Sequence, residues 1–573
     1  MLHRDEIERL RSIDTDKVVS AITRSTFSAN SSSVFAAAYV LMRAIEDYRI
    51  SIDSLELYIK TAEEPLEREL FIRQALENCW NEIRELKFKF SADEFKAVVL
   101  FESFSQYKTE FYATPAGISQ LASELLRLKA GDKVLDICTG TGSFIRECCE
   151  MYPEASFIGV DINSDQTVIA AIRAELIGGD IQIQRTNVFD APSLERSFDA
   201  VFANYPFVQA RGLGSIADEY VRTLSERSPA FARLSSMDWV FNKKAYECID
   251  GPGRVICIMS NGSTWNTTDR NARRFFLERG LVEAVIALPA RLFDSFSIPT
   301  TMIVFSFGNT STMMVDASEC CEIGRRNNVL TAENIKQILS ACFDESSMSR
   351  RVTYDEIAGN NFNLSPANYV SDTESITIEN GVELGLIAKI KRGAQIQAAE
   401  LDRMSSRKAT DYQYLMLANI QEGMIQDELP YLRELDQKLE KYCLKDNDLI
   451  LSKNGAPYKI AVAEVKNGQK ILANGNLYIL TVDEKVVDPY YIKAFFESKV
   501  GTASLKKITV GSTIPNIGIE QLSHVLIPLP SLDEQKKITD EYKACIAEVK
   551  LLKRKMAKTI DRMSHLFDDR EEG

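Results

Sequence analysis

Three short stretches carry residue types whose spacing could do chemistry together. In Val134-Leu-Asp-Ile-Cys-Thr-Gly-Thr-Gly142 an apolar run ends at Asp136, and Gly140 and Gly142 flank Thr141 just beyond it. Glycines in such a turn let the backbone pass close to a bound group, and a helix opening behind them offers free N–H donors. A lone Gly-x-Gly is weak evidence, and no third glycine follows at dinucleotide-fingerprint spacing. The next apolar run closes on Gly159-Val-Asp161. A carboxylate there can accept from both ribose hydroxyls of a nucleoside, although Asp161 alone could equally cap a helix. The third stretch, Phe198-Asp-Ala-Val-Phe-Ala-Asn-Tyr-Pro-Phe207, runs straight into Asn204, Tyr205, Pro206 and Phe207. Asn204 offers a side-chain carbonyl and Tyr205 a backbone carbonyl, while Pro206 keeps Tyr205 out of the helical region. Phe207 offers a ring face. Two acceptors beside an aromatic face suit a planar amine.

These stretches must be positioned by a sheet. Lys133-Val-Leu-Asp136, Phe157-Ile-Gly-Val160, Asp199-Ala-Val-Phe202, Arg254-Val-Ile-Cys-Ile258, Val282-Glu-Ala-Val-Ile286 and Thr301-Met-Ile-Val-Phe305 are short apolar runs separated by helical stretches. That alternation predicts a parallel α/β sheet from about residue 109 to 310, with ligands at the carboxyl ends of its strands. A polar connector is expected from there to about 361. Residues 1–108 read as helical, with Phe35, Tyr39, Leu41 and Ile45 at helical spacing. From about 380 short strands alternate with turn residues, as in Asn447-Asp-Leu-Ile-Leu-Ser-Lys-Asn-Gly455, and a mixed α/β module is expected to about 533. Beyond Asp533 no glycine or proline occurs until Gly573. Ile538, Tyr542, Cys545, Val549, Leu552, Met556, Thr559, Met563 and Leu566 alternate steps of four and three, the signature of a coiled-coil seam, or else of a helix packed on its own chain.

Composition fits several globular domains: 573 residues, 45% hydrophobic and 26% charged, at about 150 residues per domain. The net charge of −14 requires any nucleic-acid contact to be a local basic patch on an acidic body. Eleven cysteines without a Cys-x-x-Cys, and only His3, His524 and His565, argue against a zinc site, so no metal is expected and the cysteines read as reduced. Met1-Leu-His-Arg-Asp-Glu-Ile-Glu-Arg-Leu10 has no apolar signal core, and Val34–Met42 is far short of the ~20 residues that span a bilayer. The expectation is a soluble, cytoplasmic protein.

Taken in order, Phe111-Tyr-Ala-Thr-Pro115, Asp136-Ile-Cys-Thr-Gly140, Gly159-Val-Asp161, Arg185-Thr-Asn-Val-Phe189 and Asn204-Tyr-Pro-Phe207 resemble the amino-group DNA methyltransferases in their gamma arrangement. Ser235-Ser-Met-Asp-Trp239, Leu288-Pro-Ala-Arg-Leu-Phe293, Ile298-Pro-Thr300 and Asn361-Phe-Asn-Leu-Ser-Pro366 extend the resemblance to the methylation subunit of type I restriction–modification systems. From about 384 the chain resembles half of a type I specificity subunit, through Gly511-Ser-Thr-Ile-Pro515, Ile527-Pro-Leu-Pro530 and Glu534-Gln535. Two positions depart from the family pattern: Ile137 and Tyr205 stand where it has prolines.

The resemblance implies a multidomain α/β chain: a helical domain 1–108, a Rossmann-like S-adenosylmethionine-dependent methyltransferase domain 109–370, a target-recognition domain 380–533 and a coiled-coil helix 534–573. It implies S-adenosylmethionine as methyl donor and adenine N6 in double-stranded DNA as acceptor, in a restriction–modification or related defence system. Phe111, Tyr112, Thr114 and Pro115 would lie near the methionine part of the cofactor, and Asp136, Gly140, Thr141, Gly142, Asp161 and Ile162 would form its crevice. Asn187, Val188 and Phe189 would lie beside its adenine, and Asn204, Tyr205, Pro206 and Phe207 would carry the chemistry. Lys389, Lys391, Arg392, Arg403, Arg407, Lys408, Lys453, Lys506 and Lys507 are the candidate DNA contacts, although such charges are more often solvated faces. One recognition domain and one helix imply a homodimer through that helix. No helicase or nuclease motif is visible, so any cleavage would need a separate restriction subunit. Two other readings stay open: a regulatory DNA-binding protein silenced at Tyr205, and a protein-glutamine methyltransferase, since similar turns serve that amide nitrogen.

Overall fold

The computed structural model describes residues 2–26, 31–103, 113–207, 216–293, 299–325, 327–370, 378, 381–455, 457–466, 468–510 and 516–564. It divides into two compact units, Met1–Ser371 and Asp372–Gly573.

The first unit is built on one nine-stranded sheet. Its strands are β1 (Lys133–Asp136), β2 (Ser156–Asp161), β3 (Asp180–Arg185), β4 (Phe198–Asn204), β5 (Ile249–Ser260), β6 (Val282–Ala287), β7 (Thr300–Phe305), β8 (Ser311–Asp316) and β9 (Ser349–Thr353). They lie in the order β3-β2-β1-β4-β5-β7-β6-β8-β9. The first five run parallel, and β7 is reversed between β5 and β6. The chain winds outward from β1 in both directions, so β1 and β4 flank a topological switch point. Ligands of open α/β sheets bind there, beyond the carboxyl ends of the strands. In the central strands Val201, Phe202 and Ala203 are wholly buried, as near-continuous apolar runs covered on both faces must be.

The stretch after 310 is more ordered than a polar connector. β8, the helix Ala332–Phe343 and β9 extend the sheet past β6. Met313, Met314 and Val315 are buried in β8, but serine, threonine and aspartate at its ends hide so short a run. β3 was also missed. It is an edge strand, and its Gln182 and Gln184 interrupt the apolar pattern.

Residues before 103 are helical among those described, and the helix Ser31–Glu46 is buried almost all round. A helix apolar on every face belongs in a core. That core includes Val168, Ile169 and Ile172 from the helix Ser164–Ile177 behind β2. The domain boundary expected at 108/109 therefore falls inside one compact unit, because the two regions share apolar side chains. No helix among the described residues is long and apolar enough to cross a membrane.

In the second unit Ala388–Arg392, Leu477–Val482, Leu449–Ser452 and Ile460–Val462 form one antiparallel sheet. Tyr412–Leu415 and Lys470–Ala473 pair in another. The helix Leu532–Ser564 opens on a reciprocal cap, Glu534 N to Ser531 Oγ (3.4 Å) and Ser531 N to Glu534 Oε2 (3.1 Å). Gln535 and Thr539 are buried, and Tyr542 bonds to Lys493 and Glu497 of the helix Pro489–Glu497. The first turns of this helix thus pack on their own unit, so the boundary expected at 533/534 does not separate two bodies and Tyr542 belongs to the packed side.

Candidate active site

The parallel register brings the three chemical stretches to one end of the sheet. Asp136 at the end of β1 pairs with Gly159 of β2 on one side and with Phe202 of β4 on the other. The turn after β1, the end of β2 and the Asn204 turn therefore share one edge.

Gly140 and Gly142 both take positive φ, +54° and +78°, in the turn that leads into the helix Ser143–Met151. A Cβ at Gly142 would stand 3.3 Å from Cβ of Ala170, so the helix behind β2 sits against the loop. Asp161 ties the two strand ends together: its Oδ2 accepts from Gly140 N and its Oδ1 from Asn163 N, each at 2.9 Å. Each oxygen retains a further lone pair. Burial pushes the Asp161 carboxyl above its usual range, against the pull of the Asn163, Gly140 and Ile162 amides. Asn163, not Asp161, caps the following helix, accepting from Asp165 N and Gln166 N. Ile162 is 49% exposed beside this carboxylate and presents an apolar surface.

Asp136 is buried, and burial lifts its carboxyl to about 8, against the pull of the Thr139 hydroxyl and the Cys138 amide. A glycine turn, the Asp161 carboxylate with spare lone pairs and an exposed isoleucine fit a ligand that is polar at one end and a planar nucleoside at the other.

Asn204 closes β4. Its Nδ2 donates to Thr114 Oγ1 at 2.9 Å, which fixes the amide. Its Oδ1 accepts no hydrogen bond among the described residues and is available as an acceptor. Tyr205 turns away, with its ring 1% exposed and its hydroxyl donating to Asn242 Oδ1 at 2.7 Å. Pro206 is exposed, and Phe207 is half-buried with its ring edge-on to Phe293 at 6.3 Å. Pro115 precedes the helix Ala116–Leu126. Phe111 and Tyr112 lie outside the described residues.

Asn187 donates to Asp190 Oδ2 in its own loop (2.6 Å) and to Ile216 O beyond β4 (2.8 Å), while its oxygen accepts from Phe189 N (3.2 Å). Val188 and Phe189 are buried, and the Phe189 ring lies 4.9 Å from Phe241 and 5.1 Å from Tyr220 among core aromatics.

Sequence reasoning missed several residues here. Arg173 is 1% exposed, and its Nη1 donates to Thr141 O (3.0 Å) and Oγ1 (2.9 Å), its Nε to Val99 O (2.8 Å) and its Nη2 to Glu102 O (2.7 Å). It pins the glycine loop to the end of the helix Ala92–Phe101. Gly159 is closely surrounded: a Cβ there would come within 2.7–2.9 Å of side-chain atoms of Ile145, Thr139 and Ile183, which would have to shift. Asp238 accepts from Ser260 N (3.0 Å), Ser260 Oγ (2.6 Å) and Ser263 Oγ (2.7 Å), which locks the helix Asp238–Glu247 to the end of β5. Only the Ser235–Trp239 stretch gave a signal for this network.

In the second unit the structure brings Arg392 and Lys453 together. Arg392 donates to Gly475 O at 2.6 Å, and its charge, after burial, pushes the Lys453 ammonium below its usual range. Lys391 donates to Lys441 O at 2.8 Å. Lys389, Arg403, Arg407 and Lys408 are exposed, with Arg403 donating to Ala399 O of its own helix. Lys506 and Lys507 lie on the helix Lys499–Ile508, and their side chains are outside the described set. Among the described residues no group of three or more His, Cys, Asp or Glu converges on a point.

The strand order with a reversed seventh strand, the glycine turn after β1 and the carboxylate closing β2 define a class: the Rossmann-like fold of S-adenosylmethionine-dependent methyltransferases. Comparison with known proteins narrows this. Residues 99–377 match the family described as N-6 DNA Methylase, and residues 380–560 match the Type I restriction modification DNA specificity domain. The two matches thus lie side by side along the chain, the methylase family over the first segment and the type I specificity domain over the second. The Type I restriction enzyme MjaIX methylase subunit of Methanocaldococcus jannaschii is 25% identical, over 46% of this chain and 51% of that protein. The ribosomal protein uL3 glutamine methyltransferase of Neisseria gonorrhoeae is 34% identical over 15% of this chain and 29% of that one. A type I restriction–modification methyltransferase subunit from Streptococcus thermophilus superposes with a TM-score of 0.47 at 19% identity, over 64% of this chain and 86% of that one. The chain spans about half the length of the type I methylase subunits it first matches.

Proposed function

We propose that this chain methylates adenine N6 at defined sites in double-stranded DNA, using S-adenosylmethionine, as the modification component of a restriction–modification or related defence system. The observation that carries the reading is the placing of Asn204, its amide held by Thr114 at 2.9 Å, beside the glycine turn closed by Asp161. S-adenosylmethionine, when bound, supplies a methyl group already activated on a positively charged sulfonium. The residues that would hold it are Gly140, Thr141, Gly142, Asp136, Asp161 and Ile162, with Thr114, Pro115 and the Asn187–Phe189 turn beside them, and Phe111 and Tyr112 by resemblance.

The difficulty is the nucleophile, because an exocyclic amine shares its lone pair with the ring. Asn204 Oδ1 and the Tyr205 carbonyl accept its two hydrogens, which disfavours that sharing and orients the nitrogen. A base inside a duplex cannot reach such a turn, so it is flipped out, and Phe207 supplies a face to stack on. Burial of the Tyr205 ring leaves the turn open, which supports an active enzyme over a silenced one.

The specificity domain would read the site. Arg392 and Lys453 are its paired candidates for phosphate or base contact, with Lys389, Lys391, Arg403, Arg407, Lys408, Lys506 and Lys507 as further ones. A second copy docks along the terminal helix, and any cleavage falls to a separate subunit.

Transfer of labelled methyl from S-adenosylmethionine to unmethylated DNA, followed by sequencing of the methylated adenines, tests the reading. Label appearing only in protein would favour glutamine as substrate, and no label at all a regulatory role. Asp161→Ala is expected to weaken cofactor binding at least about tenfold by calorimetry, since it removes a charged acceptor and frees the Gly140 turn. Unchanged affinity would place the cofactor elsewhere.

A further inference from the structure

A proline ring fixes φ near −65°, and the turn after Asn204 has a tyrosine where its family resemblance puts the first of two prolines. The residue at this position matters because its backbone carbonyl is the second acceptor for the amine. We propose that Tyr205 is locked from its far end instead: Phe241 and Asn242 form a brace that fixes the direction of the Tyr205 carbonyl, which makes Asn242 a positioning residue for methyl transfer. This rests on the reading of the turn as the methyl-transfer site.

Three observations support the brace. The Tyr205 ring lies face to face on Phe241, centroids 4.6 Å apart and planes 9° apart. Its hydroxyl donates to Asn242 Oδ1 at 2.7 Å. Asn242 is 0% exposed in an aromatic and aliphatic core, and its amide nitrogen makes a weak contact to Met259 Sδ at 3.8 Å. An amide buried this way is costly unless bonded, and the Tyr205 hydroxyl satisfies its oxygen. The stack and the hydrogen bond hold the ring at two points, so the Cα–Cβ direction of Tyr205 is set and φ with it. Pro206 restricts ψ from the other side. The support is itself fixed: Asp238 is bonded to Ser260 and Ser263, and Trp239 Nε1 donates to Ser263 O at 3.0 Å. Helix Asp238–Glu247 therefore transmits the position of the end of β5 to the turn after β4.

The test compares Asn242→Leu, near in volume but without an acceptor, alone and combined with Tyr205→Pro, with Tyr205→Phe as a variant that keeps the ring stack. Two readouts are taken on the full chain: amide exchange of residues 198–207 by mass spectrometry, and kcat for methyl transfer to DNA. Asn242→Leu and Tyr205→Phe should each raise exchange and lower kcat about tenfold with KM for the cofactor unchanged. Added to Tyr205→Pro, Asn242→Leu should change neither readout, since proline needs no brace. An equal loss from Asn242→Leu in both backgrounds, or Tyr205→Phe matching the unaltered chain in both readouts, overturns the proposal. If the exchange pattern is as expected and the unaltered chain methylates no DNA, the brace stands and the proposed function falls.

Discussion

Asn204→Ala should lower kcat for DNA methylation by about 10²–10³-fold or more, the scale on which removing one preorganised polar group slows an enzyme. The loss should sit in kcat, with KM for S-adenosylmethionine and affinity for DNA close to unaltered. Asn204 sits at the end of β4 and, among the described residues, makes no hydrogen bond to Gly140, Asp161 or Thr141, so the crevice proposed for the cofactor should survive its truncation. Its amide is fixed by Thr114, and on the proposed reading the acceptor it presents would act on the amine as charge develops there. Single-turnover methylation with saturating DNA measures the step directly, calorimetry measures cofactor binding and a gel shift measures DNA binding. A defect confined to KM would mean that Asn204 binds substrate without activating it. Retained activity would remove the turn from the chemistry.

Legibility in the sequence followed how locally each role is written. The ends of β1, β2 and β4 were readable because an apolar run stopping at Asp136, Asp161 or Asn204 is a pattern of neighbours. The parallel register then places those ends side by side without further information. β3 and β8 were not readable, since Gln182 and Gln184 break one pattern and the other is four buried residues between polar ends. Roles that exist only through tertiary contact left no trace. Arg173 looks like any helical arginine until the fold brings Thr141 and Val99 to it, and Asn242 looks like a helix-surface amide until Tyr205 arrives from 37 residues away. Tyr205 itself was visible as a departure from a pattern, but its consequence was not, because only the fold shows its ring leaving the crevice. The same limit applies to Phe189, whose neighbours in sequence suggest a ligand site while its ring joins the aromatic core.

Replacing Val549, Leu552 and Met556 together by glutamate should convert a dimer of this chain into a monomer of 64.4 kDa. The terminal helix has two sides with different uses. Gln535, Thr539 and Tyr542 are committed to their own unit, and Lys543 is paired with Asp488 at 3.2 Å. Ile538, Val549, Leu552, Met556 and Met563 are 42–63% exposed and recur at heptad-like spacing, so they form an unpartnered apolar stripe. Full burial of such a side chain contributes about 1.5–3 kcal/mol, and the half still exposed here roughly half of that, which over several pairs helps to hold two chains together. The substitutions lie on the stripe and away from the packed side, so the fold of the unit should be unaffected, which circular dichroism checks. Two copies related by a two-fold would present two recognition domains to a two-part palindromic site, separated by a spacer that a helix of 33 residues at ~1.5 Å per residue sets. Light scattering reads the mass and methylation mapping reads the site. The substituted chain should lose the fixed spacing while its cofactor affinity is unchanged. A monomeric unaltered chain, or an uninterrupted asymmetric site, would remove the dimer and leave the chemistry at Asn204 untouched.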